Sequence, residues 1–216
     1  MKAYVRPAAL CDTWKDDNRP SKDEYYLNIA KEVAKRGTCL RRNYGAVIVK
    51  NDEIISTGYT GAPRGRLNCN EIGRCVRMEK GIPSGQRYEM CRSVHAEQNA
   101  IISGSRDKMI GSVLYLYGWD VENNCEKKDP VPCSLCERMI INAGIKEVIT
   151  FNPLYDGKNY CEPRIKHYSV DEYIKNDESL QYLIETSEFA KESHDKMFDT
   201  MSEMIDNDIA DEFEKI

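Results

Sequence analysis

Histidine is scarce in this chain, with three in 216 residues. Long apolar runs are missing: nothing approaches the roughly 18 residues a membrane-spanning helix needs, and the opening MKAYVRPAALCDTW contains no such run. We therefore expect no membrane association and a soluble, cytoplasmic protein. A net positive charge is also lacking. The chain carries 36 acidic and 31 basic residues, a formal charge of −5, which argues against the extended basic, aromatic-lined track of a nucleic-acid polymer binder. The acidity is unevenly spread. Residues 161–216 hold 16 acidic and 6 basic residues, so residues 1–160 carry 20 acidic against 25 basic, a local surplus of +5 suited to an anionic ligand.

Cysteine, by contrast, is plentiful. Nine cysteines in a chain expected in a reducing compartment predict metal sites or buried thiols in place of disulfides. A chain of this length can bury a core that needs no covalent staples.

Ser21 and Glu24 have capping-box spacing, and Tyr26, Ile29, Ala30 and Val33 share one face, which predicts a helix ending at Gly37. GAVIVK and EIISTGY, split by Asn51 and Asp52, predict a hairpin. VHAEQNAIIS predicts a second helix, SVLYLY a buried strand, CSLCERMIINAG a helix closed by Gly144, and KEVITF another strand. This alternation predicts an α/β layered domain over residues 1–160. Within it, residues 60–92 are rich in Gly, Arg and Cys without periodicity and predict a long cysteine-rich functional loop. Residues 161–216 are expected to form an acidic helical C-terminal extension. There Ser169 and Glu172 repeat the capping spacing, and Met197, Met201, Met204, Ile205 and Ile209 form an apolar stripe suited to packing.

An isolated histidine is most often a satisfied structural residue. His95 is set apart by Glu97 two residues on and by VPCSLC, which begins 36 residues after it. Cys133 and Cys136 lie three apart across the first turn of a predicted helix, so both sulfurs can reach one metal. Pro132 suits the helix start, and the positive end of the helix dipole favours thiolates. With His95 as third ligand, a zinc ion keeps its fourth position for water, the mark of a catalytic site. Glu97 then stands beside the metal as a proton carrier. This H-x-E and P-C-x-x-C combination is the signature of zinc deaminases; a redox cysteine pair or half of a structural zinc knuckle has no need of the glutamate.

On these residues, and on TCLRRNYGAVIVK, IISTGYTGAPRG, LNCN, MCRSVHAEQNAI and CERMIINAGIKEVI, the chain resembles the cytidine and deoxycytidylate deaminase superfamily. Within it the chain is most similar to the deoxycytidylate (dCMP) deaminases, from about Asp23 to Phe151. The resemblance implies a three-layer α/β/α cytidine deaminase-like fold with a mixed five-stranded sheet. It implies zinc-dependent hydrolysis of dCMP to dUMP and ammonia with Glu97 shuttling protons. It further implies a homo-oligomer, a hexamer, with dCTP and dTTP as activating and inhibiting effectors. Some dCMP deaminases carry a second zinc, with cysteines where Cys39 and Cys69 stand; together with Cys75 and Cys91 they are expected to close the loop on a structural zinc. Cys11, Cys125 and Cys161 are read as ordinary thiols.

Arg41, Arg42, Arg64 and Arg66 flank the expected pocket and offer forks that match phosphate; with Asn43 and Thr60 they are candidates for substrate or effector binding. The chain departs from the family in reading GYTG where relatives read GYNG, in the insertion at 118–132, and in its acidic C-terminus. Two other readings use the same residues. One is a deaminase of another cytosine nucleoside or nucleotide, or of single-stranded nucleic acid or tRNA. The other is a catalytically silent, zinc-stabilised regulator, which would not require Glu97.

Overall fold

A computed structural model describes residues 19–151, 154–155, 160–161, 165–176, 181–183 and 185. The apolar stripe at 197–209, Cys11 and the side chain of Cys161 lie outside the described residues. The chain divides into two units after Asp171, and the sheet belongs to the first.

Helix α1 (Lys22–Ala34) starts at the expected capping box, with Glu24 N donating to Ser21 Oγ at 3.2 Å and Ser21 N donating to Glu24 Oε2 at 2.8 Å. Strands β1 (Arg42–Lys50) and β2 (Glu53–Tyr59) form the expected antiparallel hairpin. Its two turn residues, Asn51 and Asp52, have φ of 50° and 63°. Two consecutive positive φ values give the turn whose twist matches the flanking strands, and Asn and Asp tolerate them well. The cysteine-rich loop is broken up by two single-turn helices, α2 (Cys69–Ile72) and α3 (Val76–Glu79), and a 3₁₀ turn at Tyr88–Met90.

Then follow α4 (Ala96–Ser103), α5 (Arg106–Met109), β3 (Val113–Asp120), β4 (Cys125–Glu126), α6 (Ser134–Ala143) and β5 (Glu147–Phe151). The short strands β6 (Leu154–Tyr155) and β7 (Tyr160–Cys161) pair with each other, and β8 (Ile165–Ser169) leads into α7 (Val170–Lys175).

The main sheet runs β2-β1-β3-β5-β8, with β4 added beside the end of β3. Only β3 and β5 are parallel, and α6 is the crossover between them; the other neighbours are antiparallel. The mixed five-strand path matches the expected fold, but its last strand comes from beyond residue 160, where the sequence suggested only helical extension. The insertion at 118–132 folds back as β4, held by Tyr117 and Lys31, which both donate to Glu126 Oε1, at 3.0 and 2.8 Å.

Side chains alternate across a strand, so the sheet has two faces to cover. Val47, Val49, Tyr115, Tyr117 and Ile149 pack under Tyr26, Leu27, Ala30 and Ala34 of α1. The opposite face carries the fully buried Ala46, Ile48, Leu114, Leu116 and Val148, while α4 and α6 bury Ala96, Ala100, Cys136 and Ile140. Contact with α4 is so close at Gly58 that a Cβ there would collide with Ala96 O and Ala100 N. The result is a three-layer α/β/α sandwich.

Candidate active site

Helices α4 and α6 begin at the same edge of the sheet, past the carboxyl ends of β2 and β3, which is where open α/β sheets place their ligand sites. His95 is the N-cap of α4, and its backbone N–H donates to Gln98 Oε1 at 3.1 Å. Cys133 is the N-cap of α6, with Cys136 one turn on. Pro132 therefore stands one residue ahead of the cap and the first helical position belongs to Ser134; the helix starts one step later than the proline alone suggested.

The Sγ atoms of Cys133 and Cys136 each lie 3.4 Å from His95 Nδ1. In a tetrahedral zinc site with bonds of about 2.0 Å to nitrogen and 2.3 Å to sulfur, the N···S edge is roughly 3.5 Å. The triad thus fits the metal, and among the described residues it is the group of potential ligands whose donor atoms close to within 4.8 Å of one another. Both helix N-termini add positive potential where thiolates must sit. Hydrogen bonding from Cys136 holds Cys133 down at about 4 despite burial, while the same hydrogen bond and burial push Cys136 well up. Burial disfavours the charged His95 ring, yet Cys133 and Glu97 raise its pKa overall.

Glu97 occupies the first turn of α4 and is 4% exposed. Burial raises the pKa of its carboxyl, with the His95 charge pulling the other way. Burial thus favours the protonated form of a carboxyl that opens on the cavity, and a buried carboxyl facing the reacting groups is what acid–base work requires.

Glu97, His95 and Cys133 open on a cavity of about 110 Å³. Of the candidate binding residues named from the sequence, Arg41, Arg42 and Thr60 line it; Asn43, Arg64 and Arg66 do not. Asn43 Oδ1 instead accepts the Cys39 N–H at 3.0 Å and holds the entry to β1. Arg64 is exposed and donates to Ser103 Oγ at 2.9 Å, and Arg66 is exposed on the same turn. Thr60 Oγ1 accepts the Tyr44 N–H at 3.1 Å, so the residue that distinguishes GYTG is engaged with the main chain of β1.

Six lining residues escaped the sequence reading: Tyr44, Arg77, Ser84, Tyr88, Ser93 and Val131. Burial, with the Glu97 charge nearby, pushes the Tyr44 phenol well up and keeps it neutral. Tyr88 meets the His95 ring edge-on at 4.9 Å, and Arg77 lies over Tyr88 at 4.8 Å. The RME and GQRYE surroundings of Arg77 and Tyr88 have no periodicity that separates a lining residue from a solvated one. The one usable signal was their place between cysteines.

The seven cysteines whose side chains are described are free thiols. Cys39, Cys75 and Cys91 line the cavity wall, and Cys69 is buried. Burial raises the Cys69 pKa and the other three thiols push it the same way, so the four share one neighbourhood without reaching the spacing of the His95 triad.

The family profile described as "Cytidine and deoxycytidylate deaminase zinc-binding region" matches residues 20–152. The chain is 39% identical over 131 residues to deoxycytidylate deaminase of Schizosaccharomyces pombe, covering 61% of this chain and 37% of that protein. Against deoxycytidylate deaminase of Saccharomyces cerevisiae the figures are 37% over 131 residues, 61% and 38%. Against deoxycytidylate deaminase of Mycobacterium phage D29 they are 35% over 136 residues, 61% and 95%. The chain thus spans little more than a third of the yeast relatives and nearly all of the phage one. Because the matched segment covers more than half the chain and contains both helix starts that converge on His95 Nδ1, this chain belongs to the cytidine and deoxycytidylate deaminase family.

Proposed function

We propose that the protein hydrolyses the exocyclic amine of a free cytosine mononucleotide, converting dCMP to dUMP and ammonia. The observation that carries the reading is a buried Glu97 beside a His/Cys/Cys triad, at the floor of a cavity whose wall bears arginines. In this reading His95, Cys133 and Cys136 hold zinc, which when bound supplies the acidification of water that hydrolysis needs at neutral pH. Glu97 accepts one proton from the attacking water and delivers it to the ring nitrogen, then takes the second from the hydroxyl so formed and hands it to departing ammonia. Its burial keeps bulk water from competing for those protons. Arg41 and Arg42 supply positive charge toward the nucleotide phosphate.

The same reading assigns a second, structural zinc to Cys39, Cys69, Cys75 and Cys91, supported by the mutual influence of these thiols on Cys69. It also assigns a cytoplasmic location, supported by the free thiols; no helix among the described residues is long and apolar enough to cross a membrane. A hexameric homo-oligomer with dCTP and dTTP as effectors completes it. The exposed Leu67, Ile102 and Leu135 support self-association. Light scattering that finds a monomer refutes the assembly, and rates indifferent to both triphosphates refute the regulation.

Ammonia release from dCMP, CMP, dCTP, deoxycytidine and a short cytosine-containing oligonucleotide, at equal concentration and matched salt, tests the substrate. The expected order puts dCMP first. Preferential turnover of the oligonucleotide would move the protein to polymer editing, and silence on every substrate with zinc bound would make it a regulator.

A further inference from the structure

Arg77 is an unusual cation. It sits on the single-turn helix α3 in the cysteine-rich loop, yet it is only 7% exposed. Among the described residues no carboxylate forms an ion pair with it. Its Nη2 donates to Pro83 O at 2.7 Å and Gln86 O at 2.6 Å, both neutral acceptors, and its Nε is buried without a hydrogen-bond partner. The Nε atoms of Arg41 and Arg42 are also buried without a hydrogen bond, that of Arg42 facing the Asp120 carboxylate at 3.6 Å, and all three arginines line the cavity over Glu97.

The three guanidiniums also grip one strap of chain. Arg41 Nη1 donates to Ile82 O at 3.3 Å, Arg42 Nη1 to Ser84 Oγ at 3.0 Å, and Arg77 to the carbonyls on either side of Ser84. Of the nearby carboxylates, Asp120 stands 3.6 Å from Arg42 Nε, too far for a good hydrogen bond, Glu89 is exposed and paired with Arg87, and Glu97 opens on the same cavity. A buried cation served only by neutral acceptors is short of negative charge, and orphaned buried N–H groups are rare enough to need a cause. Three such groups around one cavity call for an anion with several acceptor oxygens, and a phosphate matches the guanidinium fork. Tyr88 contacts both Arg77, at 4.8 Å, and the His95 ring, at 4.9 Å, so the charge stands within one aromatic ring of the metal ligand, a reach suited to a nucleotide whose base meets the metal site.

We propose that Arg77 binds the phosphate of the substrate nucleotide, completing an anion subsite with Arg41 and Arg42. The proposal rests on the mononucleotide reading above and adds the residue that makes the subsite buried instead of superficial. A purely structural Arg77 would only staple the strap.

The two roles separate in the ratio of kcat/KM for dCMP to kcat/KM for deoxycytidine, measured in wild type, Arg77→Lys and Arg77→Gln at matched zinc content. The ratio does not depend on the folded fraction, because both substrates meet the same active molecules. In Arg77→Gln it is expected to fall at least about tenfold, the scale of one charge-assisted hydrogen bond. Inorganic phosphate, as a competitor of dCMP, is expected to weaken by a similar factor. Arg77→Lys keeps the charge without the fork, and its ratio should fall by at least about threefold; if Arg77→Gln yields no soluble protein, this variant decides. An unchanged ratio, even with both activities lowered together, overturns the proposal and leaves Arg77 a staple. A wild-type enzyme with no preference for dCMP over deoxycytidine overturns the mononucleotide reading itself, and this proposal with it.

Discussion

Glu97 and Gln98 are neighbours in the first turn of α4 with divided duties: Gln98 accepts the His95 N–H and caps the helix, which leaves Glu97 for the cavity. Glu97→Gln preserves size and leaves all three metal ligands untouched. It should retain wild-type zinc while turnover falls at least about 100-fold, the scale of general acid–base catalysis; ammonia release and metal analysis on one preparation check this, and a zinc-replete variant with substantial activity would discredit the role. Asp120, at the end of β3, provides a pH readout. Burial alone would raise its pKa, but hydrogen bonds from Asn123 and the Arg42 charge hold it below the usual carboxylate value. A depressed carboxyl contributes stability above its unfolded pKa of about 3.9 and loses it as pH falls through the folded value. Urea midpoints of wild type and Asp120→Asn should therefore differ at pH 7, and the gap should narrow only as pH falls below about 3.9; a gap that stays constant would show that Asp120 is not the titrating group. At this scale the metal triad and Glu97 were legible, because short fixed spacings on helix starts dictate where those side chains go. Asn43 and Arg77 were not. Which of several polar residues on an aperiodic stretch turns inward is decided by loop packing, which leaves no period in the sequence.

Helix α4 reaches the site only because the sheet lets it come close. Gly58 has no side chain where the α4 backbone passes over β2, and Gly58→Ala must move one or the other. Overpacking of this kind typically costs about 1–3 kcal/mol. Since His95 and Glu97 both ride on α4, activity should fall with stability, read as a lower urea midpoint and slower turnover. A Gly58→Ala protein with wild-type values for both would mean that α4 is not seated as described. The hairpin, α4 and α6 could be read from the sequence because turn chemistry and periodicity agree there. Strand β8 could not: IKHYS is a short alternation inside an acidic stretch, and it becomes a strand because β5 presents an edge to it, from Glu147↔Ser169 to Phe151↔Ile165. The same holds for β4, two residues long and fixed by pairing with Trp119 and Asp120.

Across the whole molecule, zinc content is the measurement that weighs both metal assignments together. Freshly purified, unchelated protein should contain two zinc ions per chain. Cys75→Ser should lower the count to about one while ammonia release from dCMP per remaining site survives in part. A wild-type count of one would dismiss the four-cysteine site and keep the triad. The layered architecture was legible from the order of elements, whereas the assignment of residues 165–169 to the sheet depends on pairing between distant parts of the chain. Sequence separation also governs how the metal site comes into being. His95 lies before β3 in the chain and Cys133 after it, so α4 and α6 gain a common anchor only once β3 has slotted between β1 and β5. Such long-range pairing is slow compared with closing a local hairpin. Full zinc coordination is therefore expected late in folding, and the metal would then favour finished molecules: a chain with β3 unplaced has the ligands but no chelate, and would gain none of the stability that native-state binding confers.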